Sequence, residues 1–291
     1  MQLTQIDWQE YELIDSGAGE KLERFGEYIL RRPCAEAQWQ KQKPVSVWNA
    51  AHARFIKTTG DRGSWQTTTS IPESWNVKWR QSVFATYLSP FKHTGIFPEQ
   101  SAHWSWMQDL ILQRKLQKPD QELRVLNLFA YTGAASIVCT QAGAKVTHVD
   151  SSRAAIGWAK HNQLASGLDE RSIRWILDDV MTFVAREAKR GVLYEGIIMD
   201  PPAYGHGVKG EVWDFRSSFP KLLDLCTQIL SPNPLFVLAN VYAVSLSAPN
   251  LAAAFAEKFP QKHSQIVAGE LSLEESESGR LLSTGVFARL S

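Results

Sequence analysis

Two periods of apolar and polar positions follow one another along this chain. Over residues 1–90 the period is short. YELIDSGAGEKLERFGEYILRRP sets Gly at turn positions between brief apolar runs, and SWNVKWRQSVFATYLSP alternates apolar with polar. A period of two broken by turn residues predicts strands, so residues 1–90 are expected to form a small β-rich domain. From residue 98 the period lengthens. PEQSAHWSWMQDLILQRKLQ (98–117) brings Trp104, Met107, Ile111 and Leu116 near helical spacing. Pro98 suits a first helical position, and Glu99 suits the positive end of the helix dipole. A linker helix is expected within 91–120. Beyond KPDQ the two periods alternate. RVLNLFAY, KVTHVD, IRWILDD, YEGIIMD and PLFVLAN read as buried strands. GAASIVCTQAGA, SRAAIGWAKHNQLASG, VMTFVAREAKR and SSFPKLLDLCTQIL read as the helices between them. Alternating strands and helices predict an α/β domain over 121–291, a doubly wound, mostly parallel sheet covered on both faces.

Composition narrows the class. Of 291 residues 44% are apolar and 21% charged, which excludes a wholly disordered, collagenous or coiled-coil chain. The net charge of +1 excludes a polycation that coats nucleic acid by charge alone. That figure hides an asymmetry: residues 1–30 carry −5, residues 31–92 carry +7 and residues 93–291 carry −1. Six of the 11 Trp (Trp8, Trp39, Trp48, Trp65, Trp75, Trp79) fall in the first 80 residues. They either fill a thin core or, with the basic block, offer a surface for single-stranded RNA bases. Cys34, Cys139 and Cys226 are odd in number and widely spaced, so neither a disulfide framework nor a thiolate metal site is expected. No apolar run approaches the ~18 residues that span a bilayer. MQLTQIDWQE has neither the basic nor the apolar region of a signal peptide. A reduced, cytoplasmic protein without membrane or metal is expected.

The first α/β turn narrows the cofactor. In doubly wound sheets ligands bind beyond the carboxyl ends of the strands. The first strand runs into NLFAYTGAAS (127–136), and Asp150 closes the second strand with Ser151 beside it. An acid there can accept from both hydroxyls of an adenosyl ribose. A dinucleotide needs G-x-G-x-x-G so that backbone can approach the pyrophosphate. Here only Gly133 is present, flanked by Tyr131, Thr132 and Ala134, with Asn127 and Phe129 before them. That bulkier turn argues against NAD and for S-adenosylmethionine, an adenosyl cofactor without phosphate. At the end of the third strand Asp178 or Asp179 can accept from the adenine amino group, and either can instead cap the following helix. Asp179 is taken as the one facing the cofactor.

The fourth strand ends in Met199-Asp200-Pro201-Pro202-Ala203-Tyr204-Gly205. Two prolines end the strand and stiffen its backbone. The Asp200 carboxylate and the Pro201 carbonyl, held side by side, can grip an exocyclic amino group and aim its nitrogen lone pair. Tyr204 can stack on the base. Positioning for in-line displacement and a sink for one proton are the chemistry such a site must supply. GHGVKGEVWDF (205–215) is Gly-rich and polar and reads as a mobile lid or substrate loop.

VLNLFAYTGAAS, HVDSS, WAKHN, LDDV and MDPPAYG together resemble the class I S-adenosylmethionine-dependent methyltransferases of the bacterial 23S ribosomal RNA group (RlmI/RlmK-like) over residues 90–291. FKHTGIFPEQ (91–100) is similar to that family's HKTGFFLDQR-type segment. The resemblance implies a Rossmann-like class I methyltransferase fold. It also implies that Phe129, Tyr131, Thr132 and Gly133 surround the methionine part of the cofactor. Asp150 then takes the ribose, Asp179 the adenine and Asp200 the reacting end, and Thr94, Phe97 and Gln100 close over the cofactor. The N-terminal piece resembles the family's central domain, and no counterpart of the PUA domain of some members is expected. There are two departures. EQSAHW lacks the family's Arg residues. Members that make 5-methylcytosine carry a nucleophilic Cys after the fifth strand, where this chain has Asn240-Val241-Tyr242-Ala243-Val244-Ser245. Methylation of a nitrogen, on a purine base, is therefore expected rather than cytosine-5 chemistry.

Three further readings stand beside an RNA N-methyltransferase. One is a methyltransferase for a protein side chain or small molecule, since the same acceptors grip an amide or amine. Another is a non-catalytic RNA-binding assembly factor. The last is an NAD-dependent oxidoreductase, which the missing glycines disfavour.

Overall fold

Strands do follow from the short period at the start of the chain. The computed structural model describes residues 1–6, 8–58, 62–169, 172–242 and 245–291, with only the backbone described at 263–264. The chain divides into two units, each assembled from distant segments. The smaller holds Thr4–Ala102 and Ser272–Thr284; the larger holds Met1–Leu3, His103–Leu271 and Gly285–Ser291. The pattern placed boundaries near 90 and 120. In space the change of unit falls at 102, and a stretch from near the carboxyl end returns to the N-terminal unit.

The strand β1 (Gln2–Leu3) belongs to the larger unit's sheet. The smaller unit then builds β2 (Tyr11–Gly17), β3 (Glu20–Phe25), β4 (Tyr28–Pro33), the short helix α1 (Val45–Asn49), β5 (Ala53–Lys57) and β6 (Gly63–Thr67). The five strands lie in sequence order, antiparallel except where α1 intervenes and β5 runs parallel to β4. A hairpin of β7 (Trp75–Trp79) and β8 (Ser82–Thr86) follows. Trp8, Trp48 and Trp79 are buried. The indoles of Trp39, Trp65, Trp75 and Trp79 donate to the carbonyls of Ser16, Ser89, Phe25 and Ile6, and that of Trp48 donates to Asp15. Lys41 lies over the Trp48 ring at 3.7 Å. Trp39, Trp65 and Trp75 are half-buried. The interior also holds a charge cluster. Glu23 accepts from Tyr11 Oη (2.8 Å) and Arg32 Nε (2.8 Å) and pairs with Lys21 (3.0 Å).

A 3-10 turn at Pro98–Gln100 leads into α2 (Ser101–Gln117). Trp104, Met107 and Ile111 are buried as their spacing predicts, but Leu116, in the last turn, is 83% exposed. The larger unit continues with β9 (Arg124–Leu128), α3 (Ala134–Gln141), β10 (Lys145–Asp150), α4 (Arg153–Ala165), β11 (Ile173–Leu177), α5 (Val180–Lys189) and β12 (Gly196–Met199). Next come the hairpin β13 (Tyr204–His206) and β14 (Val212–Asp214), α6 (Phe215–Ile229), β15 (Phe236–Val241), α7 (Ala248–Lys258), β16 (Val267–Glu274) and β17 (Leu281–Leu290). The sheet order is β1-β16-β17-β15-β12-β9-β10-β11. The five predicted strands run parallel to one another, β17 adds antiparallel to β15, and β1 pairs parallel with β16. The doubly wound α/β expectation therefore holds. Every residue of the central strands β12 and β15 is buried, as burial on both faces requires. β9 lies where the strand order reverses, the position at which such sheets bind ligands.

Candidate active site

Register brings the candidate residues to one edge of the sheet. Leu128 pairs with Val149 on one side and with Met199 on the other, and Met199 pairs with Ala239. Phe129, Asp150, Asp200 and Asn240 therefore emerge level. Asp178 and Asp179 follow the end of β11, where Leu177 pairs with Asp150. Asn240 was not singled out as a candidate, because one Asn within an apolar strand carries no motif.

The turn after β9 is shaped by its backbone. Phe129 (φ 55°), Tyr131 (φ 48°) and Gly133 (φ 83°) are all left-handed. That conformation costs L residues about 1–2 kcal/mol each, so the surroundings must hold it. Tyr131 N–H donates to Asp150 Oδ2 (2.8 Å), and Asn162 Nδ2 donates to Thr132 O (3.0 Å). A Cβ on Gly133 would stand 3.0 Å from that of Ala159, which lets α4 pack close to the turn. Ala134 begins α3. Asn127 faces inward: its Nδ2 donates to Ser136 Oγ (2.9 Å), which is 3.1 Å from His148 Nδ1. Asn127 thus ties β9 to α3, a role its place in the strand did not announce. Burial pushes the His148 imidazole down to about 3, so it is neutral.

The acidic residues divide in role. Asp150 accepts from Tyr131 N–H with Oδ2 and from Ser152 N–H with Oδ1 (2.8 Å each). A carboxylate offers about four acceptor sites, more than these backbone donors fill. Burial raises the Asp150 carboxyl above its ordinary value, against the backbone donors of Ser152, Tyr131 and Ser151. Asp178 accepts from Asp179 N–H with one oxygen and pairs with Arg186 through the other. Asp179 caps α5 through Oδ1, accepting from Thr182 N–H (2.8 Å). Both capping and ligand-facing readings therefore bear on Asp179, whose second oxygen makes no bond among the described residues. A level row of acceptors suits an adenosyl group, whose ribose hydroxyls and amino group donate.

At the end of β12, Asp200 N–H donates to Leu128 O (3.3 Å). The next carbonyls are engaged: Pro202 O accepts from Trp213 Nε1 (2.7 Å) and Ala203 O from Phe215 N–H (3.0 Å). Pro201 O takes no hydrogen bond among the described residues. Tyr204 is 59% exposed. The stretch 205–215, expected as a mobile lid or loop, belongs to an antiparallel hairpin pairing Tyr204 with Asp214, Gly205 with Trp213 and His206 with Val212. Its glycines masked a period of two. Ser151 Oγ donates to His206 O (3.2 Å). A Cβ on Gly207 would stand 3.1 Å from Asp179 Cβ. The hairpin thus lies along the ends of β10 and β11. Trp213 is buried and meets the Phe129 ring edge-on at 4.7 Å. It joins the turn after β9 to the Asp-Pro-Pro turn, and sequence reasoning missed it.

Thr94, Phe97 and Gln100 lie in the smaller unit. Thr94 Oγ1 is buried without a hydrogen-bond partner among the described residues, Phe97 packs its ring 5.3 Å from His93, and Gln100 is buried. All three cysteines are free and buried. Burial pushes the Cys226 thiol up to about 12 and that of Cys139 higher still, so neither is a nucleophile. Ala243 and Val244, in the segment where a cytosine-5 Cys is expected, lie outside the described residues. Among the described residues no cluster of metal-binding side chains occurs, and no helix is long and apolar enough to cross a membrane.

Comparison with known proteins accords with this geometry. Residues 62–246 match the S-adenosylmethionine-dependent methyltransferase family. A methyltransferase of that kind from Agrobacterium tumefaciens superposes with a TM-score of 0.93 at 38% identity, covering 100% of this chain and 93% of that one. SMU.776, a putative methyltransferase complexed with SAH, shares the fold at a TM-score of 0.72 and 18% identity. Ribosomal RNA large subunit methyltransferase K/L of Pseudoalteromonas translucida is 28% identical over 177 residues, 60% of this chain and 23% of that protein. The protein of the same name from Shewanella frigidimarina is 36% identical over 118 residues, 40% of this chain and 16% of that protein. The chain thus matches about a fifth of the length of these relatives.

Proposed function

The chain belongs to the S-adenosylmethionine-dependent methyltransferases, and from that premise we propose that it methylates a base nitrogen in RNA, ribosomal RNA foremost, in the cytoplasm. The observation that carries this reading is the turn after β12. There Asp200 and Pro201 follow directly on β12, and Pro201 O takes no hydrogen bond among the described residues, while the next two carbonyls are engaged within the fold. Two adjacent acceptors fit the two hydrogens of an exocyclic amino group. The matched portions of the ribosomal RNA methyltransferases support RNA as the substrate class.

Bound S-adenosylmethionine supplies an electrophilic methyl group on a sulfonium. The turn 129–133 would hold its methionine end, Asp150 with Ser151 its ribose, and Asp179 its adenine. The assignment of Thr94, Phe97 and Gln100 rests on the resemblance alone. Asp200 and Pro201 orient the amino nitrogen for in-line attack, and Tyr204 stacks on the base. As the N–C bond forms and the S–C bond breaks, the nitrogen must shed a proton. The Asp200 carboxylate, already accepting from that amino group, is placed to take it. The buried thiols leave no nucleophile for a cytosine-5 route.

The test is transfer of tritiated methyl into total RNA from a strain lacking the protein, with protein extract in parallel. Label in RNA, found after digestion in an N-methylated purine, is the expected result, and Asp200→Ala should abolish it. 5-Methylcytosine would overturn the nitrogen assignment. Label in protein alone would replace RNA by a protein side chain.

A further inference from the structure

The hairpin of β13 and β14 has two faces of different chemistry. Inward, Trp213 is fixed to Phe129 and to Pro202 O. Outward, register sets His206 against Val212, and the Tyr204 and His206 rings meet edge-on at 5.4 Å. Tyr204, His206 and Val212 are all exposed, Val212 by 62%, as is Val208 at the tip. A hairpin that short, with its apolar and aromatic side chains in solvent, leaves them unburied by anything in the described unit.

Charge is sorted on the same element. Its acids are engaged by backbone: Glu211 accepts from Lys209 N–H (2.7 Å), and Asp214 caps α6 by accepting from Ser217 N–H (3.1 Å). Its bases are not. Lys209 at the tip and Arg216 just past β14 are exposed, and among the described residues neither forms an ion pair. Rings and a β-branched surface flanked by free cations complement unstacked bases on a phosphate backbone. A neutral peptide would find the same apolar face but would leave both cations without ion-pair partners. The hairpin begins three residues after the Asp200–Pro201 acceptors, so its outer face continues the place where the target base must lie.

We infer that the outer face of this hairpin is the docking platform for single-stranded RNA flanking the target base, with His206 and Val212 supporting a neighbouring base and Lys209 and Arg216 contacting phosphates. The inference rests on the RNA reading above. The experiment is methyl transfer into RNA from the strain lacking the protein, at varied RNA and KCl concentrations. Wild type is compared with a His206→Ala, Val212→Ser pair and a Lys209→Glu, Arg216→Glu pair. S-adenosylmethionine affinity, measured by calorimetry, should match wild type in both and so certify folding. Each pair should raise KM for RNA by about tenfold or more with kcat nearly unchanged. The charge pair should also flatten the dependence of log KM on log salt, by about 0.7 for each phosphate of a single strand no longer neutralised. An unchanged KM and salt slope in both pairs, with wild type active on RNA, would overturn the platform and leave the RNA reading intact. Wild type that labels no RNA would overturn both.

Discussion

At the scale of single residues, the site depends on groups that hold others in place. Trp213 is the clearest. Its N–H fixes Pro202 O at 2.7 Å, and its ring meets Phe129 at 4.7 Å. Trp213→Phe keeps the ring and loses the donor. Because small misplacements of reacting groups cost large factors, single-turnover methyl transfer should slow by about tenfold while S-adenosylmethionine affinity stays within about twofold. An equal loss in both would reduce Trp213 to simple packing. Asp150 gives a pH signature. Burial raises its carboxyl above the ordinary value, so cofactor affinity should begin to fall, as pH is lowered, at a higher pH than an exposed aspartate would give. Asp150→Asn should weaken binding by about tenfold or more and flatten that profile. Identical profiles in calorimetry would refute the role. Asp150 and Asp200 were legible in the sequence because each closes a strand whose apolar run is unmistakable. Trp213 was not, because nothing local distinguishes a tryptophan that bridges two turns from one in a loop.

At the scale of elements, strands and helices followed their periods closely where burial on both faces enforces them. β9, β10, β11, β12 and β15 coincide with the five predicted runs, and Gly167 lies past the end of α4 at φ 71°. β13 and β14 were missed since three-residue strands among glycines give too few alternations to count. β16 and β17 neighbour each other and join the sheet at β1 and β15, strands far away in sequence. The connection of β9 to α3 runs through the buried Asn127–Ser136–His148 chain, with a stability consequence. The folded-state His148 is lowered to about 3 by burial, whereas an unfolded histidine titrates near about 6.5. Below about 6.5 the unfolded chain binds the proton and the folded chain does not, so stability falls with pH until about 3 is reached. At pH 5.5 this one residue should account for a loss of about 1.4 kcal/mol. His148→Gln should lose that much less between pH 7.5 and 5.5 in urea unfolding. Parallel loss in both proteins would mean that other groups carry the dependence.

At the scale of the whole molecule, the two units are not consecutive pieces of chain. Ser272–Thr284 completes the smaller unit. There Arg280 pairs with Glu275 (2.6 Å) and Asp15 (3.0 Å), donates to Gln40 O (3.2 Å) and lies over the Trp39 ring. Both carboxylates are buried. Removing one partner of a buried ionic group costs about 3–5 kcal/mol, so Arg280→Met should destabilise the smaller unit by about that much. A fragment ending at residue 102 should unfold more readily than the intact chain, and equal protease resistance would contradict this. The sequence by itself determined the α/β class, the parallel strands, the Gly133 turn after β9 and the Asp-Pro-Pro turn that ends β12. These are properties of short windows, where period, proline and glycine act on the local backbone. Only the tertiary structure decided that strand ends align Phe129, Asp150 and Asp200, that a hairpin runs along them, that Trp213 couples two turns, and that residues 272–284 return to the N-terminal unit. Those features rest on contacts between residues far apart in sequence, and such contacts are selected by the packing of the whole chain.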